Sequence, residues 1–279
     1  MQDETKAARA GQIDSLSYTF LKLGGSLITE KSRPRTPRLE ALARLSQEIA
    51  AARSARPDLR LVVGHGSGSF GHIPARRYGT RQGVQTPEGW LGFAEVWKEA
   101  AALDHLVLDA LQTAGLPAIS FPASASLLAR DGQVVRWELG PLTSALQAGL
   151  LPVIYGDVVF DQALGGTIFS TEDLFAALAS HLPPTRLLLA GIEAGVWADF
   201  PRRTRLIAEI TPANLPEVSA ALKGSAAPDV TGGMSSKVTQ MLDLAVRLPR
   251  LEIVIFSADR PGLLQHVLAG GAAGTVIHR

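Results

Sequence analysis

An apolar run, Leu61-Val62-Val63, breaks into glycines at positions 64, 66, 68 and 71 and stops at His72. No other stretch restricts the fold as strongly. Glycines at alternate positions remove side chains where the backbone must come close to something, and they admit the positive φ angles that turn successive N–H groups into one concavity. The pattern predicts a buried strand feeding an anion-binding loop, with phosphate as the guest. A tight strand-to-helix turn without a ligand would use similar residues.

Two further glycine clusters carry lysine. Lys22-Leu23-Gly24-Gly25-Ser26 is followed by Lys31, and Thr231-Gly232-Gly233-Met234-Ser235-Ser236 ends on Lys237. Three such clusters point to one polyphosphate site assembled from distant parts of the chain. Solvated surface lysines do not normally accompany glycine pairs, and Lys22 lies at the end of an otherwise apolar strand.

The charge balance makes any such site local. With 27 basic against 26 acidic residues, the net charge of +1 offers no excess field for nucleic acid or an anionic membrane. The absence of cysteine excludes disulfides, thiolate zinc sites and cysteine nucleophiles, and it suits a cytoplasmic protein. Residues 1–17 read as a flexible leader lacking the apolar core of a signal peptide, and no apolar stretch reaches the roughly 20 residues that span a bilayer.

Along the chain, Tyr18 to Leu23 reads as a strand and Leu39 to Arg56 as a helix with Leu42, Leu45 and Ile49 at helical spacing. With the central strand they form a βαβ unit. The stretch from Arg76 to Thr86 reads as a flap, and Glu88 to Thr113 as a long helix carrying Trp90, Phe93, Val96 and Trp97. Those side chains are either core or the wall of an apolar substrate pocket. Pro117 to Phe121 and Leu151 to Tyr155 read as strands, and Asp131-Gly132 is the dipeptide of a tight hairpin turn. Gly156-Asp157 ends a strand, where α/β proteins bind ligands. Ser170-Thr171-Glu172-Asp173 starts a helix; capping and turn chemistry account for Asp161, Glu172 and Asp173 as well as function does. The region from Trp197 to Asp229 reads as loop-rich with prolines, before a helix from Met234 to Leu248. Division into an N-terminal half, 18–180, and a C-terminal half, 181–279, sharing one sheet completes an alternating α/β chain.

The Lys22 to Ser26 cluster, the loop ending in His72, Gly156-Asp157 and the Thr231 to Lys237 cluster, in this order, resemble the amino acid kinase superfamily. The resemblance runs from Tyr18 to Ile277. The form His65-Gly66-x-Gly-Ser-Phe-Gly-His72 is similar to its isopentenyl phosphate kinase branch. It implies a three-layer αβα sandwich around a mostly parallel sheet, ATP with Mg2+, a homodimer, and phosphorylation of isopentenyl phosphate to the diphosphate for isoprenoid precursor synthesis. Neither a membrane nor nucleic acid is implied as partner, and no protein ligand for the metal is assigned.

Carried over by position, Lys22 and Lys31 neutralise the transferring phosphoryl group, Gly24, Gly25 and Ser26 bind it through backbone, and Lys237 with Gly233 holds the nucleotide phosphates. Ser67 lies on the acceptor side of the central loop and Gly68 on the donor side. His72 bonds the acceptor phosphate, Gly156 lines the same pocket, and Asp157 and Asp229 orient lysines. The chain departs from the family at Gly191 to Trp197, where an acidic position is lost and Glu193 falls one place off another, and at Ser67.

These residue types suit the chemistry. Phosphoryl transfer relies on positioning and charge stabilisation, and a phosphomonoester acceptor already presents an oxyanion at neutral pH. His72 is therefore expected to donate a hydrogen bond rather than remove a proton; a structural role at the loop's end is the alternative. His65, at the strand end, reads as structural. Rival readings are a kinase for a phosphonate such as fosfomycin, and a nucleotide-binding protein that has lost turnover.

Overall fold

Helices and strands alternate along the computed structural model, which describes residues 17–223 and 233–279. The first half runs β1 (Tyr18–Leu23), α1 (Gly25–Ile28), α2 (Leu39–Ala55), β2 (Arg60–His65), α3 (Gly68–Tyr78) and α4 (Pro87–Thr113). Then follow β3 (Ala118–Ser120), β4 (Leu127–Arg130), β5 (Gln133–Trp137), α5 (Gly140–Gln147), β6 (Leu151–Tyr155), β7 (Asp157–Asp161), β8 (Gly165–Phe169) and α6 (Thr171–Leu178). The remainder comprises β9 (Pro184–Gly191), β10 (Val196–Trp197), β11 (Leu206–Ile207), β12 (Glu209–Ile210), α7 (Leu215–Lys223), α8 (Gly233–Arg247), β13 (Glu252–Ser257), α9 (Leu263–Leu268) and β14 (Thr275–Ile277).

Eight strands form one sheet in the order β12-β14-β13-β9-β1-β2-β6-β3. Every neighbouring pair is parallel except β13 with β14. Parallel strands need both faces covered, and the period-2 alternation of side chains supplies two apolar faces. Phe20, Val62, Leu187 and Ile253 point to one face, where Leu174 and Phe175 of α6 and Met241 of α8 cover them. Leu21, Val63, Leu188 and Val254 point to the other, against Leu45 of α2, Leu103 of α4 and Leu264 of α9. The result is a three-layer αβα sandwich with a mostly parallel sheet.

The two hairpins do not stay separate. β4 pairs with β7 in parallel, giving a four-stranded sheet in the order β5-β4-β7-β8. Asp131 and Gly132 turn the first hairpin with φ of 50° and 70°, as an Asp-Gly turn requires. Asp161 has a structural part here. Its carboxylate accepts backbone N–H bonds from Asp131, Gly132, Ala163 and Leu164 at 2.8 to 2.9 Å, so it ties both hairpin turns together.

Two expectations need adjustment, and the loop-rich region gains a helix. The central glycine loop is shorter than the motif, because Gly68 begins α3 and places Gly71 and His72 in its first turns. The flap from Arg76 to Thr86 contains the end of α3 and a 3-10 turn at Thr80–Gln82. The region after Trp197 contains α7, whose amphipathic pattern is short and starts at a Leu-Pro pair. The leader, apart from Ser17, and Asp229 lie outside the described residues. Among the described residues no helix is long and apolar enough to cross a membrane.

Candidate active site

The centre of the site follows from two periodicities. Lys22 lies two residues beyond Phe20 on β1 and so shares its face; Glu172 lies three residues before Phe175 on α6 and so shares its side of that helix. Phe20 and Phe175 stack with centroids 5.0 Å apart. That contact brings the Lys22 ammonium onto the Glu172 carboxylate, and the other carboxylate oxygen lies 3.2 Å from Nζ of Lys237 on α8. Among the described residues, these two cations share one anion.

Both side chains of the central pair are nearly buried, 12% exposed for Lys22 and 7% for Glu172. Burial pushes the Lys22 ammonium below its ordinary value, and Glu172 only partly restores it. Burial would raise the Glu172 carboxyl, but Lys22 and Lys237 outweigh it and hold that group well below the carboxylate range. A multiply charged anion entering beside the lysines would meet cations already paid for by the fold.

Two glycine segments meet at backbone distance above this cluster. A Cβ on Gly25 would lie 2.7 Å from the Gly68 Cα and 2.8 Å from its N. Gly68 itself has φ of +51°, where L side chains are strained. Thr29, fully buried, clamps the junction by donating to the Gly25 carbonyl at 2.7 Å and accepting from the Ser69 N–H at 2.9 Å. Sequence alone offers no signal for the bond between Thr29 and Ser69, which stands 40 residues away on α3.

A cavity of about 990 Å³ opens at this junction. Lys22, Gly24, Gly25, Ser26 and Lys31 line it from the first segment, Ser67, Gly68 and His72 from the second, and Gly156 and Lys237 from beyond. These expected residues therefore share one space. Gly233 opens α8, on which Lys237 stands.

Asp157 differs from expectation. Rather than facing a lysine, its carboxylate accepts from the backbone N–H groups of Ser124 and Val158 at 2.9 and 2.8 Å, and burial pushes its pKa up to about 6. No cation among the described residues pairs with it. Among the described residues, the carboxylate that pairs with the lysines is Glu172. A signal for it existed: in the capping box, Ser170 and Asp173 satisfy the helix end reciprocally, which leaves Glu172 without a capping task. Asp173 also accepts from Gln240 on α8 at 2.8 Å and pairs with Arg81 at 3.4 Å.

The aromatic helix divides its roles. Val96 lines the cavity together with Ala75, Ile168 and Phe169. Phe93 instead packs with Trp90 and Phe160 and lies over Gly166, where a Cβ would approach its ring to 2.8 Å. Trp97 is 46% exposed. The altered stretch after β9 places Ile192, Glu193 and Trp197 on the cavity wall. Glu193 is held by Arg203 at 2.8 and 3.0 Å and by the Trp197 indole N–H at 2.9 Å.

The amino acid kinase family pattern matches residues 17–257, so the chain belongs to the amino acid kinase family. Within it, the chain is similar to isopentenyl phosphate kinases. That of Methanothermobacter thermautotrophicus is 34% identical over 262 residues, covering 90% of this chain and 95% of the relative. That of Haloferax volcanii is 35% identical over 266 residues, covering 94% and 99%. A solved isopentenyl phosphate kinase structure matches with a TM-score of 0.79 at 30% identity, covering 93% of this chain and 99% of that one.

Proposed function

We propose that the chain transfers the γ-phosphoryl group of ATP to isopentenyl phosphate, giving isopentenyl diphosphate and ADP for isoprenoid precursor synthesis. The observation that carries the reading is the convergence of Lys22 and Lys237 on Glu172 at a cavity lined by two glycine segments. Full-length similarity to isopentenyl phosphate kinases selects the acceptor.

In this reading an oxygen of the acceptor phosphate attacks the γ-phosphorus in line, and the bond to the β-phosphate oxygen breaks. No proton need leave the nucleophile, since a phosphomonoester is largely dianionic at neutral pH. Lys22 and Lys31 oppose the charge that spreads over the transferring oxygens, and the backbone of Gly24, Gly25 and Ser26 supplies N–H groups. Lys237 holds the nucleotide phosphates with Gly68. His72, Ser67 and Gly156 receive the acceptor phosphate, and Val96 with Ile168 borders the prenyl chain.

Magnesium enters as MgATP. Among the described residues no cluster of three or more carboxylates and histidines is gathered for a metal, and Glu172 is occupied by two ammonium groups. Mg2+ binds such sites largely through phosphate oxygens and water. A cytoplasmic homodimer belongs to the same reading and is checked by light scattering. The function is tested by coupled ADP release with isopentenyl phosphate and with fosfomycin. Preferred turnover of isopentenyl phosphate is expected; preference for the phosphonate, or MgATP binding without turnover of either, overturns the assignment.

A further inference from the structure

His65 ends β2 directly beneath the glycine segment, and its side chain is fully buried. Its backbone carbonyl accepts from the Gly156 N–H at 3.1 Å and from the Thr171 hydroxyl at 2.6 Å, so three segments converge on it. The ring stacks on Tyr155, with centroids 5.4 Å apart and planes 17° apart. Both ring nitrogens face oxygen. Nε2 lies 3.1 Å from the Asp104 carboxylate on α4, and Nδ1 lies 3.2 Å from the Gly66 carbonyl.

Each contact needs one hydrogen. The hydrogen between Nε2 and Asp104 can sit on either partner, because a carboxyl can carry it. The other can sit only on the ring, because a carbonyl has none to give. In a trans peptide the C=O and the following N–H point in opposite directions. A Gly66 carbonyl held inward against the buried ring therefore turns the Ser67 N–H outward, towards the cavity that Gly66, Ser67 and Gly68 line.

We propose that His65 is a positioning residue: hydrogen on Nδ1, donated to the Gly66 carbonyl and backed by Asp104 at Nε2, fixes the Gly66–Ser67 peptide so that the Ser67 N–H is aimed at a bound phosphate. The inference rests on reading the cavity as a phosphate site. It adds a device for setting the loop before any ligand arrives. Removing a preorganised backbone donor outright costs about 10²- to 10³-fold in rate. Loosening its aim is expected to cost on the order of 10- to 100-fold.

Two substitutions separate the ring's contacts. His65→Asn keeps a donor at the reach of Nδ1 and loses Asp104; His65→Gln keeps a donor for Asp104 and loses Gly66. We expect kcat with isopentenyl phosphate to fall on the order of 10- to 100-fold in His65→Gln and only severalfold in His65→Asn. A residue serving only the core would show the reverse, since Gln preserves the buried contact to Asp104. Nitrogen-15 NMR of the unsubstituted chain reads the ring directly and is expected to show Nδ1 protonated. Titration with inorganic phosphate, followed at the Ser67 amide, reads the aim without any acceptor chemistry; the response is expected in the unsubstituted chain and in His65→Asn, and lost in His65→Gln. An unprotonated Nδ1, or equal phosphate responses in the two variants, overturns the proposal. Failure of the unsubstituted chain to turn over isopentenyl phosphate would instead strike the proposed function, leaving the NMR result to judge His65.

Discussion

Phe20 stacks on Phe175 at 5.0 Å with planes 26° apart, and this apolar contact sets the charged centre of the site. Two residues along the strand and three back along the helix, Lys22 meets Glu172 across 150 positions of chain. Such an aromatic pair contributes about 0.5 to 1.5 kcal/mol beyond its buried area. It holds the register in which a single carboxylate serves two lysines.

Glu172→Gln is expected to lower stability by about 3 to 5 kcal/mol, because removing one partner leaves buried charge uncompensated, and to lower kcat as Lys22 and Lys237 repel. The pH dependence has a definite sign. Glu172 is depressed below 4.5 in the folded chain, so its contribution is full above that value and is lost progressively as pH falls from it towards the folded value. Urea unfolding between pH 3 and 7 checks this: the acid-side loss of stability should be shallower in Glu172→Gln. Parallel curves would remove Glu172 from the ion pair.

For Asp157 the sign is reversed. Its pKa moves from 3.8 to about 6, so between those values the folded chain holds a proton that the unfolded chain has lost, and stability falls as pH rises. The full penalty above pH 6 is about 3 kcal/mol at 1.36 kcal/mol per pH unit. Asp157→Asn loses one oxygen acceptor but escapes that penalty. Its stability relative to Asp157 should improve by about 3 kcal/mol between pH 4 and 7, and an unchanging difference would show that the carboxylate titrates normally.

His72 is expected to act as a donor to the acceptor phosphate. His72→Gln retains an N–H and should keep substantial activity. His72→Ala loses a bond to a charged group worth roughly 1.5 to 3 kcal/mol, or on the order of 10- to 200-fold in kcat/KM. Equal, severe losses in both variants with unchanged KM for ATP would assign a general base instead.

Chain-length selection is expected to follow Val96 and not Phe93. Val96→Ala enlarges the cavity and should raise the rate with geranyl phosphate relative to isopentenyl phosphate. Phe93→Ala should chiefly lower stability, by about 3 to 5 kcal/mol, because its ring belongs to the Trp90 and Phe160 cluster. Ratios of kcat/KM for the two acceptors decide it, and a gain only in Phe93→Ala would move the pocket wall.

The sequence by itself determined what depends on neighbours in the chain. Apolar runs in β1, β2, β9 and β13, helical spacing in α2 and α4, the Asp131-Gly132 turn and three glycine clusters are local patterns. Their physics is complete within a few residues. Tertiary structure alone decided which partners distant groups would find. Asp157 and Glu172 both follow strand ends near glycines, yet one is consumed by the Ser124 and Val158 N–H groups while the other receives two lysines. Thr29 ties the end of α1 to Ser69 of α3, and β4 joins two hairpins, through hydrogen bonds between segments remote in sequence. A carboxylate's role follows from the charges packed around it, and packing across the sheet is settled by apolar contacts such as Phe20 on Phe175, which local periodicity orients but does not pair.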